Sequence, residues 1–222
     1  MFTLLLYNTL VDKGHGRFAM RPANEALIVI DVQNDFCPNG ALAVIDADAI
    51  VEPINTLLSD FYACILTQDW HPAGHSSFAS SYDVKSPYDI TDMPYGPQIL
   101  WPDHCIQGTD GASFHTSLKT ESADLIIRKG FRPEIDSYSA FFENDKTTPT
   151  GLEGYLHTRG IDTVTIVGLA TDFCVAYSAL DAARLGFKVT VDITACRSID
   201  LNGSLEAALL MMCAAGVKLK YG

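Results

Sequence analysis

Several residues able to do chemistry fall where apolar runs of the chain end. Asp31 leaves the run Ala26-Leu-Ile-Val-Ile30. Asp69 and His71 follow Ala63-Cys-Ile-Leu-Thr67, Lys129 closes Asp124-Leu-Ile-Ile-Arg128, and Cys174 comes one short turn after Val164-Thr-Ile-Val-Gly168. A carboxylate emerging from a buried run is desolvated, which raises its pKa and suits it to accept a thiol proton. A cysteine between a strand and a helix feels the positive end of the helix dipole and free backbone N–H groups, and both favour thiolate. The ammonium of Lys129 would stabilise the carboxylate and the developing thiolate alike. Asp31, Lys129 and Cys174 thus read as base, electrostatic anchor and nucleophile. Each also has a plainer reading: a structural hydrogen bond for Asp31, a lysine snorkelling to water for Lys129, and a small core residue for Cys174.

A second set has metal-binding character. In Asp69-Trp-His71 the two ligand types sit at i and i+2, on one side of an extended segment. His104 lies in Trp101-Pro-Asp-His-Cys105, and His75 follows His71 by four residues. A carboxylate with two or three imidazoles suits one divalent ion, Zn, Fe or Mn; the alternative is histidines bonding loop backbone. His15, His115 and His157 have no such partners and are assigned no role. Phe36, Trp101 and Tyr138 read either as loop anchors or as a flat pocket for an aromatic ring. No dinucleotide or phosphate-binding glycine motif is present, and Gly74-His-Ser76 is not a nucleophile elbow.

The elements that must carry these groups are legible. Strands are expected at 26–32, 63–67, 124–129, 163–167 and 188–193, with a short edge strand at 217–221. Helices are expected over 46–61 (started or bent by Pro53), 151–159, from Cys174 to Leu185 with Thr171 or Asp172 as cap, and 205–215 capped by Ser204. Residues 76–122 read as a long irregular loop, a length that is usually functional. Alternating strands and helices imply a three-layer α/β/α domain with a mostly parallel six-stranded sheet over 25–222. Ligands of such sheets bind beyond the carboxyl ends of the strands, where the groups above fall. Residues 1–24 read as an N-terminal extension: a poorly ordered tail, or a start-site artefact given Met20.

Composition narrows the class. The 222 residues carry 15 Lys and Arg against 27 Asp and Glu, a net charge of −12, which argues against nucleic acid or an anionic membrane as partner. No apolar run reaches the roughly 18 residues of a membrane span. The first residues lack the basic flank and cleavage site of a signal peptide. Six dispersed cysteines without a Cys-x-x-Cys pair suit a reducing cytoplasm. Monomer and homo-oligomer are both compatible with this surface.

Taken together, Ile30-Asp-Val-Gln-Asn-Asp-Phe36, Thr67-Gln-Asp-Trp-His-Pro72, Trp101-Pro-Asp-His-Cys105, Arg128-Lys-Gly130, Asp136-Ser-Tyr-Ser139 and Gly168-Leu-Ala-Thr-Asp-Phe-Cys174 resemble the nicotinamidases of the isochorismatase-like cysteine hydrolase family. The resemblance runs from Ala26 to the C-terminus. It implies a catalytic triad of Asp31, Lys129 and Cys174 and metal ligands Asp69, His71 and His104. It implies a cis peptide joining Leu169 to Ala170, and an oxyanion hole from the N–H groups of Ala170 and Cys174. Phe36, Leu42, Trp101 and Tyr138 would contact substrate. His75 stands near a position where some members have a further ligand, but its spacing is tighter, and Phe173 stands where some relatives have histidine. The implied reaction is hydrolysis of nicotinamide, and of pyrazinamide, to the acid and ammonia in NAD salvage. The rivals are another cysteine amidase or hydrolase of the same fold, and a non-catalytic metabolite-binding protein.

Overall fold

The computed structural model describes residues 21–222. The expected extension lies outside the described residues as far as residue 20, and His15 with it. Six strands form one sheet: β1 (Glu25–Ile30), β2 (Ala63–Asp69), β5 (Leu125–Lys129), β6 (Thr163–Leu169), β7 (Lys188–Arg197) and β8 (Lys218–Lys220). Their order is β5-β2-β1-β6-β7-β8, and every pairing is parallel. The "mostly parallel" expectation is thus met by a sheet with no antiparallel pair among the described residues. β1 and β2 are buried at every position, and β6 at all but its first. Their unbroken β-branched and aliphatic runs have helices to face on both sides.

The helices are α1 (Val51–Leu57), α2 (Leu152–Thr158), α3 (Ala176–Arg184) and α4 (Ser204–Ala214). Right-handed crossovers place α1, on a connection running one way along the sheet, opposite α3 and α4, on connections running the other way. The order reverses between β1 and β6. Asp31 follows the first of these strands and Cys174 the turn after the second.

Four local expectations need correction. The helix expected over 46–61 is a 3-10 turn, Ala47–Ile50, followed by the two turns of α1. Asp46 has left-handed backbone (φ 54°), so regular helix cannot extend back through it. The stretch 76–122 is not wholly irregular: β3 (Ile90–Met93) and β4 (Gly96–Ile99) form an antiparallel hairpin. Four-residue strands containing Gly96 and Pro97 carry too little alternation to be seen in sequence. Cys174 does not open an α-helix, because Thr171–Val175 is a π-type turn and α3 begins at Ala176. Neither Thr171 nor Asp172 caps it. Asp172 instead accepts from the Ile199 and Asp200 N–H groups and from Ser204 Oγ, which occupies the hydroxyl expected to cap α4.

Gly168 sits at the switch point. It pairs with Ile30, has φ +117°, and any Cβ would lie 2.2 Å from the Ile30 carbonyl oxygen. Backbone of the neighbouring buried strand cannot yield, so Gly168→Ala is expected to destabilise the fold by about 3 kcal/mol or more. Gly154→Ala is the control. Its site in α2 has nothing within 4 Å, and it should be neutral or stabilise by up to about 1 kcal/mol. Denaturant melts of both variants check the contrast.

Candidate active site

The four strand ends converge. Lys129, on edge strand β5, is roughly 14 Å along the sheet from β6 at ordinary strand spacing. Only a long side chain laid across the intervening ends can meet what β1 and β6 present. Its Nζ lies 2.8 Å from Asp31 Oδ2, 2.9 Å from Asp69 Oδ1 and 3.5 Å from Cys174 Sγ, and donates to the Ser137 carbonyl at 2.9 Å. Asp31 and Lys129 are 0% and 1% exposed. The two carboxylates outweigh burial and hold the Lys129 ammonium well above its ordinary range. Asp31 is fixed by a 2.6 Å hydrogen bond from Thr67 Oγ1, and its own N–H donates back to that hydroxyl. Burial raises its carboxyl pKa despite Lys129.

Cys174 corrects one expectation. Its thiol is pushed well above the ordinary range, by burial first and then by the carboxylates of Asp31 and Asp69, with Lys129 opposing. Desolvation thus opposes the pull expected from a helix start, and the Asp31 side chain lies within hydrogen-bonding reach of the thiol.

Asp69 ends β2 directly opposite Lys129 of β5. The Gln33 amide clamps this strand end, accepting from the Asp69 N–H and donating to the Asp69 carbonyl, both at 2.8 Å. Asp69 Oδ2 is 3.2 Å from His71 Nε2 and 3.4 Å from His104 Nε2. Loop backbone brings the two histidines together: the His71 N–H donates to the Cys105 carbonyl, and Gln107 N–H to the His71 carbonyl. Each ring places Nδ1 2.8 Å from a carbonyl, Gly130 for His71 and Pro102 for His104. Against a carbonyl Nδ1 must donate, so each ring in its neutral form turns an acceptor Nε2 inward. Two nitrogen lone pairs and a carboxylate oxygen facing one another, all three residues buried, form a set that a cation satisfies, with the carbonyl-backed histidines usual around metals. The residues fit a divalent metal. Gly130 is required here, since a Cβ on it would lie 2.4 Å from His71 Cε1.

His75 takes no part. Its Nδ1 accepts from the Ser77 N–H at 3.1 Å, and its Nε2 lies 2.8 Å from the Arg132 carbonyl. Both ring nitrogens are committed to loop backbone, the plainer reading left open for an isolated histidine.

A tight, mostly enclosed cavity lies over these groups. Phe36, Leu42, Trp101 and Tyr138 all line it, with Ala170, Cys174, Asp69 and His104. Phe173 lines it too, its ring edge-on to Trp101 at 4.9 Å and to Tyr138 at 5.8 Å. The site's edge at Phe173 is thus an aromatic wall, with no imidazole added. The Leu169–Ala170 peptide is cis. Sequence reasoning missed Asp136 and Ile199, which also line the cavity, and Thr67, which orients Asp31. Asp136 stood inside a recognised motif. Thr67 and Ile199 carried no signal beyond position near a strand end. Asp35, in the same motif as Asp31, has a carboxylate that accepts from the loop N–H groups of Ala41 and Cys105.

The isochorismatase domain family matches residues 25–219. The chain is 56% identical over 200 residues to the nicotinamidase of Acinetobacter baylyi, covering 90% of this chain and 94% of that one. Among solved structures it is similar to an Acinetobacter baumanii nicotinamidase and pyrazinamidase (57% identity, TM-score 0.89, 90% and 96% of the two chains). It is also similar to an L. infantum protein in complex with nicotinate (36%, TM-score 0.79, 92% and 96%). A third is the pyrazinamidase of Pyrococcus horikoshii in complex with zinc (35%, TM-score 0.71, 90% and 99%). The zinc complex and the Asp69, His71 and His104 cluster together support a divalent metal at this site. With family match, identity and architecture agreeing over most of its length, the chain belongs to the isochorismatase-like hydrolases, among the nicotinamidases.

Proposed function

We propose that this chain is a metal-dependent cysteine amidohydrolase converting nicotinamide to nicotinate and ammonia in NAD salvage, with pyrazinamide as a second substrate. The observation that carries the reading is Lys129 Nζ, which joins thiol, buried carboxylate and metal-type cluster within 3.5 Å of one atom. A binding protein has no need of that arrangement. Asp31 accepts the proton of Cys174 as sulfur attacks the carboxamide carbon, and Lys129 balances the charge. The N–H groups of Ala170 and Cys174 receive the oxyanion, an effect worth about 3 kcal/mol per donor. Asp31 then protonates the departing nitrogen, ammonia leaves, and a water activated by Asp31 cleaves the thioester to the acid. Asp69, His71 and His104 would hold the ion, which supplies a Lewis-acidic anchor for the ring nitrogen. Phe36, Leu42, Trp101, Tyr138 and Phe173 enclose the ring. Among the described residues no helix is long and apolar enough to cross a membrane. Together with the acidic charge and dispersed thiols, this supports a cytoplasmic enzyme acting on a small molecule.

Ammonia release from nicotinamide tests the assignment, and a chain that releases none from nicotinamide or pyrazinamide is not this enzyme. Chelation should raise KM at least about tenfold and lower Tm by only a few degrees, because the cluster anchors substrate more than fold. Zn, Fe(II) or Mn should restore KM. Elemental analysis finding no transition metal in active protein would remove the ligand assignment.

A further inference from the structure

The hairpin of β3 and β4 contributes one buried polar side chain, Gln98, which is 1% exposed. Its amide nitrogen lies 2.9 Å from Asp136 Oδ2, 2.8 Å from the Tyr138 hydroxyl and 2.7 Å from the Ile99 carbonyl. Its amide oxygen accepts from Asn144 Nδ2 at 3.1 Å and from the Tyr95 hydroxyl at 3.2 Å. Asn144 completes the clamp, its Oδ1 accepting the Tyr138 N–H and its own N–H donating to the Asp136 carbonyl. One amide thus grips both ends of Asp136-Ser-Tyr138. Two of those residues line the cavity, and the third offers its carbonyl to Lys129. The Tyr138 hydroxyl also accepts from Trp101 Nε1 at 3.0 Å, and Trp101 lies three residues beyond Gln98. The two rings are therefore joined to each other and to Gln98.

We propose that Gln98 is a positioning residue that sets how large a ring the site admits, by fixing the Trp101–Tyr138 wall from outside the cavity. It does not line the cavity, so it acts through Asp136 and Tyr138. The inference rests on the amidase reading and extends it to ring selectivity. Loss of the clamp should act on binding far more than on chemistry. Lys129 keeps its ion pairs to Asp31 and Asp69 at 2.8 and 2.9 Å whether or not Ser137 shifts.

The test compares metal-loaded wild type, Gln98→Met and Gln98→Glu on nicotinamide and 5-methylnicotinamide, with melting temperatures alongside. Gln98→Met keeps the volume and removes both polar ends. Gln98→Glu keeps the accepting end, loses the donor facing Asp136, and serves if the first variant does not fold. The expected result is a KM for nicotinamide raised about tenfold, kcat within threefold, and a kcat/KM ratio of methylated to parent amide raised at least fivefold. An active wild type whose folded variants keep KM within twofold and leave that ratio unmoved overturns the inference. So does a lower melting temperature with a proportional fall in kcat alone, the mark of a merely structural residue. A wild type inactive on both amides defeats the amidase reading and this inference with it, so the two failures are distinct.

Discussion

Cys174→Ala is expected to lower ammonia release by on the order of 10⁵-fold while leaving the fold in place. The loss is large because no other group can form the thioester. Among the described residues within the cavity Cys174 supplies the only thiol; the other polar groups are carboxylates, an imidazole, the Tyr138 hydroxyl and the Trp101 N–H. The fold should persist because the change removes one sulfur atom from a site 8% exposed, at a cavity cost of about 1 kcal/mol, or 2–4 °C in a domain of this size. Binding should survive, since the aromatic walls and metal cluster are untouched. Calorimetric titration with nicotinamide alongside the ammonia assay separates the two. A variant that binds and still turns over at more than a hundredth of the wild-type rate would move the nucleophile elsewhere.

Lys129→Met should cost far more stability than Cys174→Ala, with a large loss of activity beside it. Methionine is close in shape, so the effect is electrostatic. Removing the ammonium leaves the Asp31 and Asp69 carboxylates, 0% and 4% exposed, without the cation that faces them at 2.8 and 2.9 Å. Breaking such a pair from one side destabilises by about 3–5 kcal/mol. The midpoint should fall by roughly 6–20 °C. Activity should drop at least about 10³-fold, because the base and the developing thiolate lose their common counter-charge. The double variant Asp31→Asn, Lys129→Met is the decisive comparison. It removes one orphaned charge and should recover a substantial part of the stability while recovering none of the activity. Failure to recover stability would mean that Lys129 holds the fold by packing and not by charge.

Legibility in the sequence followed the physics of each element. Asp31, Lys129 and Cys174 could be found because parallel strands present their carboxyl ends on one side. Any polar residue ending a buried run in such a sheet is brought to the same edge. The aromatic wall was partly legible for a weaker reason, since Phe36, Trp101 and Tyr138 stood inside recognisable loop motifs. The clamp on that wall was not. Gln98, Asp136 and Asn144 meet only because a short hairpin folds back over a later loop, the first two partners being 38 positions apart in sequence. The second turn of events concerns Cys174. Its place after a strand suggested a thiolate held by a helix dipole. Its covering by the fold works the other way, since burial pushes the thiol up.

By itself the sequence determined the α/β class, which polar residues close the buried strands and the residue types of the Asp69, His71 and His104 set, because these depend on local periodicity and on parallel topology. Only the tertiary structure decided how deeply Cys174 is buried, where the His75 ring nitrogens turn and that Phe173 lines the pocket. Those depend on desolvation, on which carbonyl each imidazole meets, and on which rings close against each other, and all three are set by segments distant in the chain.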